Sequence, residues 1–263
     1  MLDIDGFLGD LQNMELTART YATGLRQYAR FLDLDGGEPN LDTARAFIRH
    51  LREKGRKDTT IFLYGQAVRS YFAWRDPEKP FRLKLPTPDT ELKPFLHESR
   101  IMEVYSKCRT PLQKAVIMLL YNCALRSEEL RTLQDGDVVE EQGFLWVLAK
   151  GGSRQRVQLG PQTLQVLRRY IEWRKPGRHL FPYTYNEIKT ITVSRGRSAG
   201  IKNLTPHLLR HSKAANMLLQ GVPLEQIRDH LRHKKFETTL RYAQISEFGM
   251  RPRVPEASLG ESW

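Results

Sequence analysis

Apolar residues fall three, four and seven positions apart at Tyr21, Leu25, Tyr28, Phe31 and Leu32, the spacing that lines one face of an α-helix. Thr17 stands just ahead of them and offers an N-cap oxygen. A second apolar pattern covers Ala44 to Leu51. After the basic loop LREKGRKDTT, a third helix is predicted from Thr60 to Trp74, ended by DPEKP at Asp76 to Pro80. Together these predict a small all-helical module. The following stretch, FRLKLPTPDTELKP, carries prolines and charge without a helical period, which suits an extended linker.

Downstream, helices are predicted around Glu98 to Lys107, Leu112 to Asn122 and, more briefly, Ser127 to Leu133. FLWVLA (Phe144 to Ala149) and RQRVQL (Arg154 to Leu159) read as strands on either side of a Gly-rich turn, a β-hairpin with Lys150 at its tip. Pro161 starts a helix running to Trp173. Thr205-Pro206 pairs an N-cap with a proline at the first helical position, opening a helix that Gly221 closes, and Val222-Pro223 starts the next. The expected fold class is mainly α with a small β-hairpin or sheet (α+β). The expected domains are 1–80, a linker at 81–94, and 95–263 with a C-terminal tail at 246–263.

Charge sharpens this division. The 263 residues carry a formal net charge of +12. Residues 1–94 hold 15 Lys and Arg against 14 Asp and Glu, whereas 95–263 hold 27 against 16, so +11 of the +12 lies in the second part. A polyanionic partner is expected there. Cys108 and Cys123 form no CxxC pair, which argues against a disulfide framework or a cysteine zinc site. MLDIDGFLGDLQ lacks the basic start and apolar run of a secretion signal, and no stretch approaches the roughly 20 apolar residues of a membrane helix, so a cytoplasmic location is expected.

Three motifs in the basic part carry candidate chemistry. In ALRSEEL (Ala124 to Leu130), Arg126 precedes Ser127, a good N-cap, so its guanidinium lies near a helix end that favours anions, with Glu129 in reach to hold it. In TPHLLRHSKAANML, His207 and Arg210 are three apart and share a helix face, and a planar guanidinium suits two phosphate oxygens. His207 and His211 also have the spacing of a zinc-binding helix, with His230 and His233 as formal completions. The helix carries no catalytic glutamate and places Arg210 beside any cation, which disfavours a metal. In HLRHKKFETTLRYAQ, Tyr242 follows His233 by nine residues; a tyrosine titrating near ~10 needs surrounding cations and a proton acceptor to attack.

In this order, ALRSEEL, the lysine-tipped hairpin, TPHLLRHSKAANML and HLRHKKFETTLRYAQ resemble the tyrosine recombinases, or phage integrase family, of the simple two-domain, Xer-like type. The resemblance covers Leu112 to Gln244 well and the N-terminal module more loosely. It implies a helical core-binding domain that clamps one face of DNA, and a catalytic domain in which Arg126, Lys150, His207, Arg210, His233 and Tyr242 surround one scissile phosphate. Tyr242 would be the nucleophile, forming a 3′-phosphotyrosyl link; His207 would accept its proton, Lys150 would protonate the leaving oxygen, and Glu129 would support Arg126. Arg126, Arg210 and His233 would stabilise the phosphorane. The implied reaction is site-specific recombination or integration through a Holliday junction, with no cofactor and no metal. The implied partners are double-stranded DNA, further copies of the chain (a tetramer in the synapse, a monomer or weak dimer when free) and accessory proteins. Further DNA contacts are expected from Lys54, Arg56, Lys57 and Arg69, and from Arg232, Lys234 and Lys235. Ala124 and Arg232 replace glycines of the family pattern, so easy positive φ is not expected at either. Two other readings share these features: a type IB topoisomerase relaxing DNA as a monomer, and a non-catalytic DNA-binding protein.

Overall fold

The computed structural model describes residues 2–11, 15–79, 82–87, 94–149 and 152–233. The chain divides into two compact units, Met1–Glu91 and Leu92–Trp263.

In the first unit, α1 (Ile4–Gly9), α2 (Glu15–Asp35), α3 (Leu41–Glu53) and α4 (Asp58–Arg75) share one core. The α2 stripe buries Leu25, Tyr28 and Leu32. The helix begins at Glu15, so Thr17 lies inside its first turn rather than at its cap. Asn40 caps α3, its Oδ1 accepting from the amides of Asp42 and Thr43 at 2.9 Å each. The short α1 was not legible from periodicity: it contributes one buried residue, Phe7, which meets the rings of Tyr21, Tyr71 and Trp74. Residues 82–87 have neither helix nor strand, as a linker would, yet Leu83 is buried in the first core. Leu85 lies so near Gly65 that a Cβ there would stand 2.2 Å from it, so α4 needs a glycine at that crossing.

The second unit contains α5 (Glu98–Ser106), α6 (Pro111–Tyr121), α7 (Ser127–Thr132), β1 (Val138–Val139), β2 (Phe144–Leu148), β3 (Arg154–Gln158), α8 (Pro161–Trp173), α9 (Tyr185–Ser198), α10 (Pro206–Leu219) and α11 (Leu224–Leu231). Ala115 to Tyr121 of α6 are all buried, because α7, α8, α9 and α10 pack around that helix. The sheet is antiparallel in the order β1-β2-β3; Leu145 opposes Val157, and Leu145 and Val147 point into the core. The β-hairpin and its flanking helices thus match the expected α+β class, with β1 added at one edge. α9 had no counterpart in the sequence pattern. Its buried positions are Ile188, Thr192 and Gly196, a narrow stripe holding one large apolar residue, set in a segment otherwise polar or β-branched. No helix among the described residues is long and apolar enough to cross a membrane.

Candidate active site

After α6 the chain reverses through Ala124, whose φ is +45°, and presents Arg126 as the residue capping α7. Ser127, expected at the cap, is the first helical residue instead. Glu129 displaces it by capping from within: its Oε2 accepts from the Arg126 amide at 2.9 Å and its Oε1 from Arg126 Nη1 at 2.5 Å. The Ser127 hydroxyl is left buried without a partner among the described residues. With only six residues, α7 adds little dipole, so positive potential here comes from side chains.

α10 supplies the second pair. Thr205 Oγ1 accepts from the Leu208 amide at 3.1 Å, and Pro206 opens the helix, as its sequence requires. His207 lies exposed in the first turn; Arg210, one turn on, is buried. The Arg210 guanidinium donates to the carbonyls of Ala124 and Leu231, and its Nη1 stands 3.9 Å from Glu129 Oε2. The helix is held by Ser212, whose Oγ accepts from the Leu96 amide at 2.9 Å, and by Asn216, which donates to the Leu96 carbonyl at 2.9 Å.

α11 ends on Arg232, at φ +54°, where the amide of His233 reaches back to the Arg228 carbonyl at 3.1 Å. That left-handed terminus is usually a glycine's position. The sequence reading counted Arg232 among the DNA contacts and expected no easy positive φ there; the backbone takes a positive φ nonetheless, and the side chain turns away from the surface where a DNA contact would be made. Its side chain is 5% exposed and turned inward, with Nη2 2.9 Å from Glu129 Oε2 and 2.8 Å from the Ala124 carbonyl. Nη1 donates to the carbonyls of Cys123 and His230, at 3.1 and 2.8 Å. Those bonds, formed inside the protein, hold the backbone in the strained region.

Among the described residues, three guanidiniums therefore surround one buried carboxylate. Burial would raise the Glu129 pKa, but Arg232, the Arg126 amide, Arg126 and Arg210 together hold it below the usual carboxylate range. His233, next to Arg232, is pushed down to about 4 by burial, then by Arg210, Arg126 and Arg232. His230, a residue at the helix end, is likewise lowered to about 4, by burial and then by Lys213 and Arg232. Both imidazoles are neutral at physiological pH.

Arg232 and His233 also line a cleft of about 250 Å³, together with Gln155 and Arg156 of β3 and with Arg228 and Asp229. Lys150, Lys234, Lys235, Tyr242 and the tail at 246–263 lie outside the described residues. Lys54, Arg56, Lys57 and Arg69 are exposed in the first unit, the first three where α3 passes into α4. Sequence reasoning singled out Arg126, Glu129, His207, Arg210 and His233, and the structure joins Arg126, Glu129 and Arg210 through direct polar contacts. It missed the inward role of Arg232, although an extra arginine in place of a glycine was the available signal.

The sequence model of the phage integrase family matches residues 94–247. This chain belongs to that family. It is 32% identical over 270 residues to tyrosine recombinase XerA of Pyrococcus furiosus and 30% identical over 268 residues to XerA of Pyrococcus horikoshii; each alignment covers 95% of this chain and 92% of the relative. Among solved structures, XerH site-specific recombinase bound to palindromic difH substrate superposes with a TM-score of 0.73 at 17% identity, over 89% of this chain and 77% of that one. The Tn1549 transposon integrase with transposon right-end DNA gives 0.68 at 20% identity, over 92% and 94%. These two establish the shared fold. The integrase-family chain is thus a tyrosine-type site-specific DNA recombinase, and nothing in these comparisons favours the topoisomerase or non-catalytic reading.

Proposed function

We propose that the recombinase cuts each strand of duplex DNA by attack of the Tyr242 oxygen on a scissile phosphorus held by Arg126 and Arg210. The observation that carries this reading is the convergence of Arg126, Arg210 and Arg232 on Glu129, three guanidiniums about one carboxylate, with exposed His207 one helical turn before Arg210 on α10. A phosphodiester brings one negative charge, and a second gathers on its oxygens as the pentavalent state forms, so fixed cations favour that state over the ground state.

In this mechanism the phenol proton of Tyr242 passes to His207, an O–P bond forms to the 3′-phosphate, and the P–O bond to the 5′ oxygen breaks. Lys150 gives that oxygen a proton. One phosphoester replaces another, so no cofactor or energy source is consumed, and the 5′-hydroxyl of a second duplex can reverse the step. Neutral His233 donates a hydrogen bond to a phosphate oxygen. Exchange between two duplexes through a Holliday junction calls for four copies of the chain, each cutting once, with the 246–263 tail docking on a neighbour and accessory proteins setting direction. Lys54, Arg56, Lys57 and Arg69 contact DNA from the first unit, and Lys234 and Lys235 from the second. The reaction belongs in the cytoplasm with its DNA.

The test is a duplex selected from a random pool, nicked so that cleavage traps the protein. Wild type should form a denaturant-resistant adduct, and Tyr242→Phe should bind the duplex but form none. An adduct persisting in the variant, or mapping to Tyr183 or Tyr185, would overturn the assignment.

A further inference from the structure

We infer that Arg232 is a positioning residue for DNA cleavage, acting through Glu129 and the Ala124 carbonyl rather than on DNA itself. The inference rests on the functional reading above and adds a residue to it. The Arg232 fork reaches four acceptors, and each belongs to a segment bearing a proposed phosphate-binding group. The carbonyls of Cys123 and Ala124 form the turn that leads into Arg126; Glu129 holds the Arg126 guanidinium; the His230 carbonyl belongs to the helix end that delivers His233. Arg210 donates to the same Ala124 carbonyl, so two buried arginines fix one oxygen.

The division of Glu129 matters most. Its Oε2 is taken by Arg232 and by the Arg126 amide, which leaves Oε1 for the Arg126 side chain through Nη1. Among the described residues, Arg126 Nη2 makes a long contact, 3.5 Å to the Arg232 carbonyl, and the side chain stays 33% exposed. Remove the Arg232 guanidinium, and the carboxylate's remaining cations are Arg126 and Arg210, which are then drawn inward, away from substrate. Binding along the duplex, spread over many phosphates, is little affected; the step at the scissile phosphate suffers.

The experiment measures duplex affinity, melting temperature and single-turnover adduct formation on the selected nicked duplex. Wild type with Tyr242→Phe first tests the functional reading without reference to Arg232. Arg232→Gly accepts the positive φ and lacks the guanidinium; Arg232→Lys keeps the charge but not the fork. Arg232→Gly should bind within about 3-fold of wild type and cleave about 10- to 100-fold more slowly, with part of the rate recovered in Arg232→Lys. Combined with Glu129→Gln, Arg232→Gly should slow cleavage little beyond the slower single variant, because both act through one carboxylate. Wild-type cleavage by Arg232→Gly, an affinity loss matching the rate loss, or fully multiplicative effects with Glu129→Gln would each overturn the inference. Should Arg232→Gly fail to fold, Arg232→Lys decides: slowed cleavage at unchanged affinity supports it, and a wild-type rate refutes it.

Discussion

The Arg232 guanidinium donates to the Ala124 carbonyl at 2.8 Å across 108 residues of sequence, and these two are the non-glycine residues with positive φ among the described residues. Two sharp reversals, one after α6 and one after α11, are thereby fastened to each other. Arg126 leaves the first and His233 the second.

Ala124 is fully buried against Ala214, Ala215 and Met217. Ala124→Gly relieves about 1–2 kcal/mol of backbone strain, but loses roughly 0.8 kcal/mol of methyl burial and up to about 1 kcal/mol through the freer unfolded chain. The net change in a urea titration should stay within about 1 kcal/mol. Ala124→Val, branched and oversized at a left-handed position, should destabilise by about 3 kcal/mol. Equal stabilities for the two variants would mean that the turn is not confined to this backbone region.

Glu129→Gln leaves three guanidiniums without their counter-charge. Breaking a buried ion cluster on one side costs about 3 kcal/mol, so the variant should unfold at markedly lower denaturant. Wild-type stability would indicate that the backbone carbonyls suffice for Arg210 and Arg232.

Acid should weaken the fold well before carboxylates titrate in bulk. His230 and His233 bind protons in the unfolded chain near an ordinary ~6.5 but in the folded chain only near about 4. Within that window the unfolded state holds more protons, so stability is complete above it and declines as pH falls through it. His230 contributes at most about 1.4 kcal/mol per pH unit; His233, half-exposed and screened by solvent, contributes less. Glu129, lowered by its arginines, adds its own loss as pH falls further, through its folded-state pKa. Urea melts from pH 7 to 4 should show the decline, and His230→Gln should flatten it; a flat wild-type profile contradicts the burial of these rings.

Lys150→Ala should slow cleavage chiefly at departure of the 5′ oxygen, a poor leaving group without a proton. Substituting sulfur for that oxygen should restore much of the rate. If the sulfur substrate is cut no faster by the variant, another group is the acid.

Duplex affinity should fall steeply with salt, because +11 of the +12 net charge lies in residues 95–263. The slope of log affinity against log salt should be about −0.9 per phosphate contacted. A nearly flat response would speak against an extended DNA footprint.

Strong periodicity and local caps made most of this fold readable: α2 from its Tyr21-to-Leu32 stripe, α10 from Thr205-Pro206, the hairpin from its strand residues around a Gly-rich turn. Elements held by long-range contacts escaped, α1 because Phe7 alone buries it and α9 because its stripe is narrow and β-branched. Within the site, the sequence singled out Arg126, Glu129 and Arg210, which the structure joins through polar contacts. Arg232 misled because a surface-looking HLRHKK run says nothing of which way one arginine turns. Its inward direction depends on acceptors at Cys123, Ala124 and Glu129, which are remote in sequence.

That remoteness has a consequence for synthesis. Arg210 meets the Ala124 carbonyl across 86 residues, and Arg232 meets Glu129 across 103. During translation, a chain grown through α10 holds Arg126 on Glu129 but lacks the arginine that closes the cluster, and the proposed nucleophile Tyr242 has yet to be added. In the proposed mechanism the capacity to cut DNA therefore waits until Arg232 and Tyr242 have both been added, and an aborted product stopping before Arg232 carries neither.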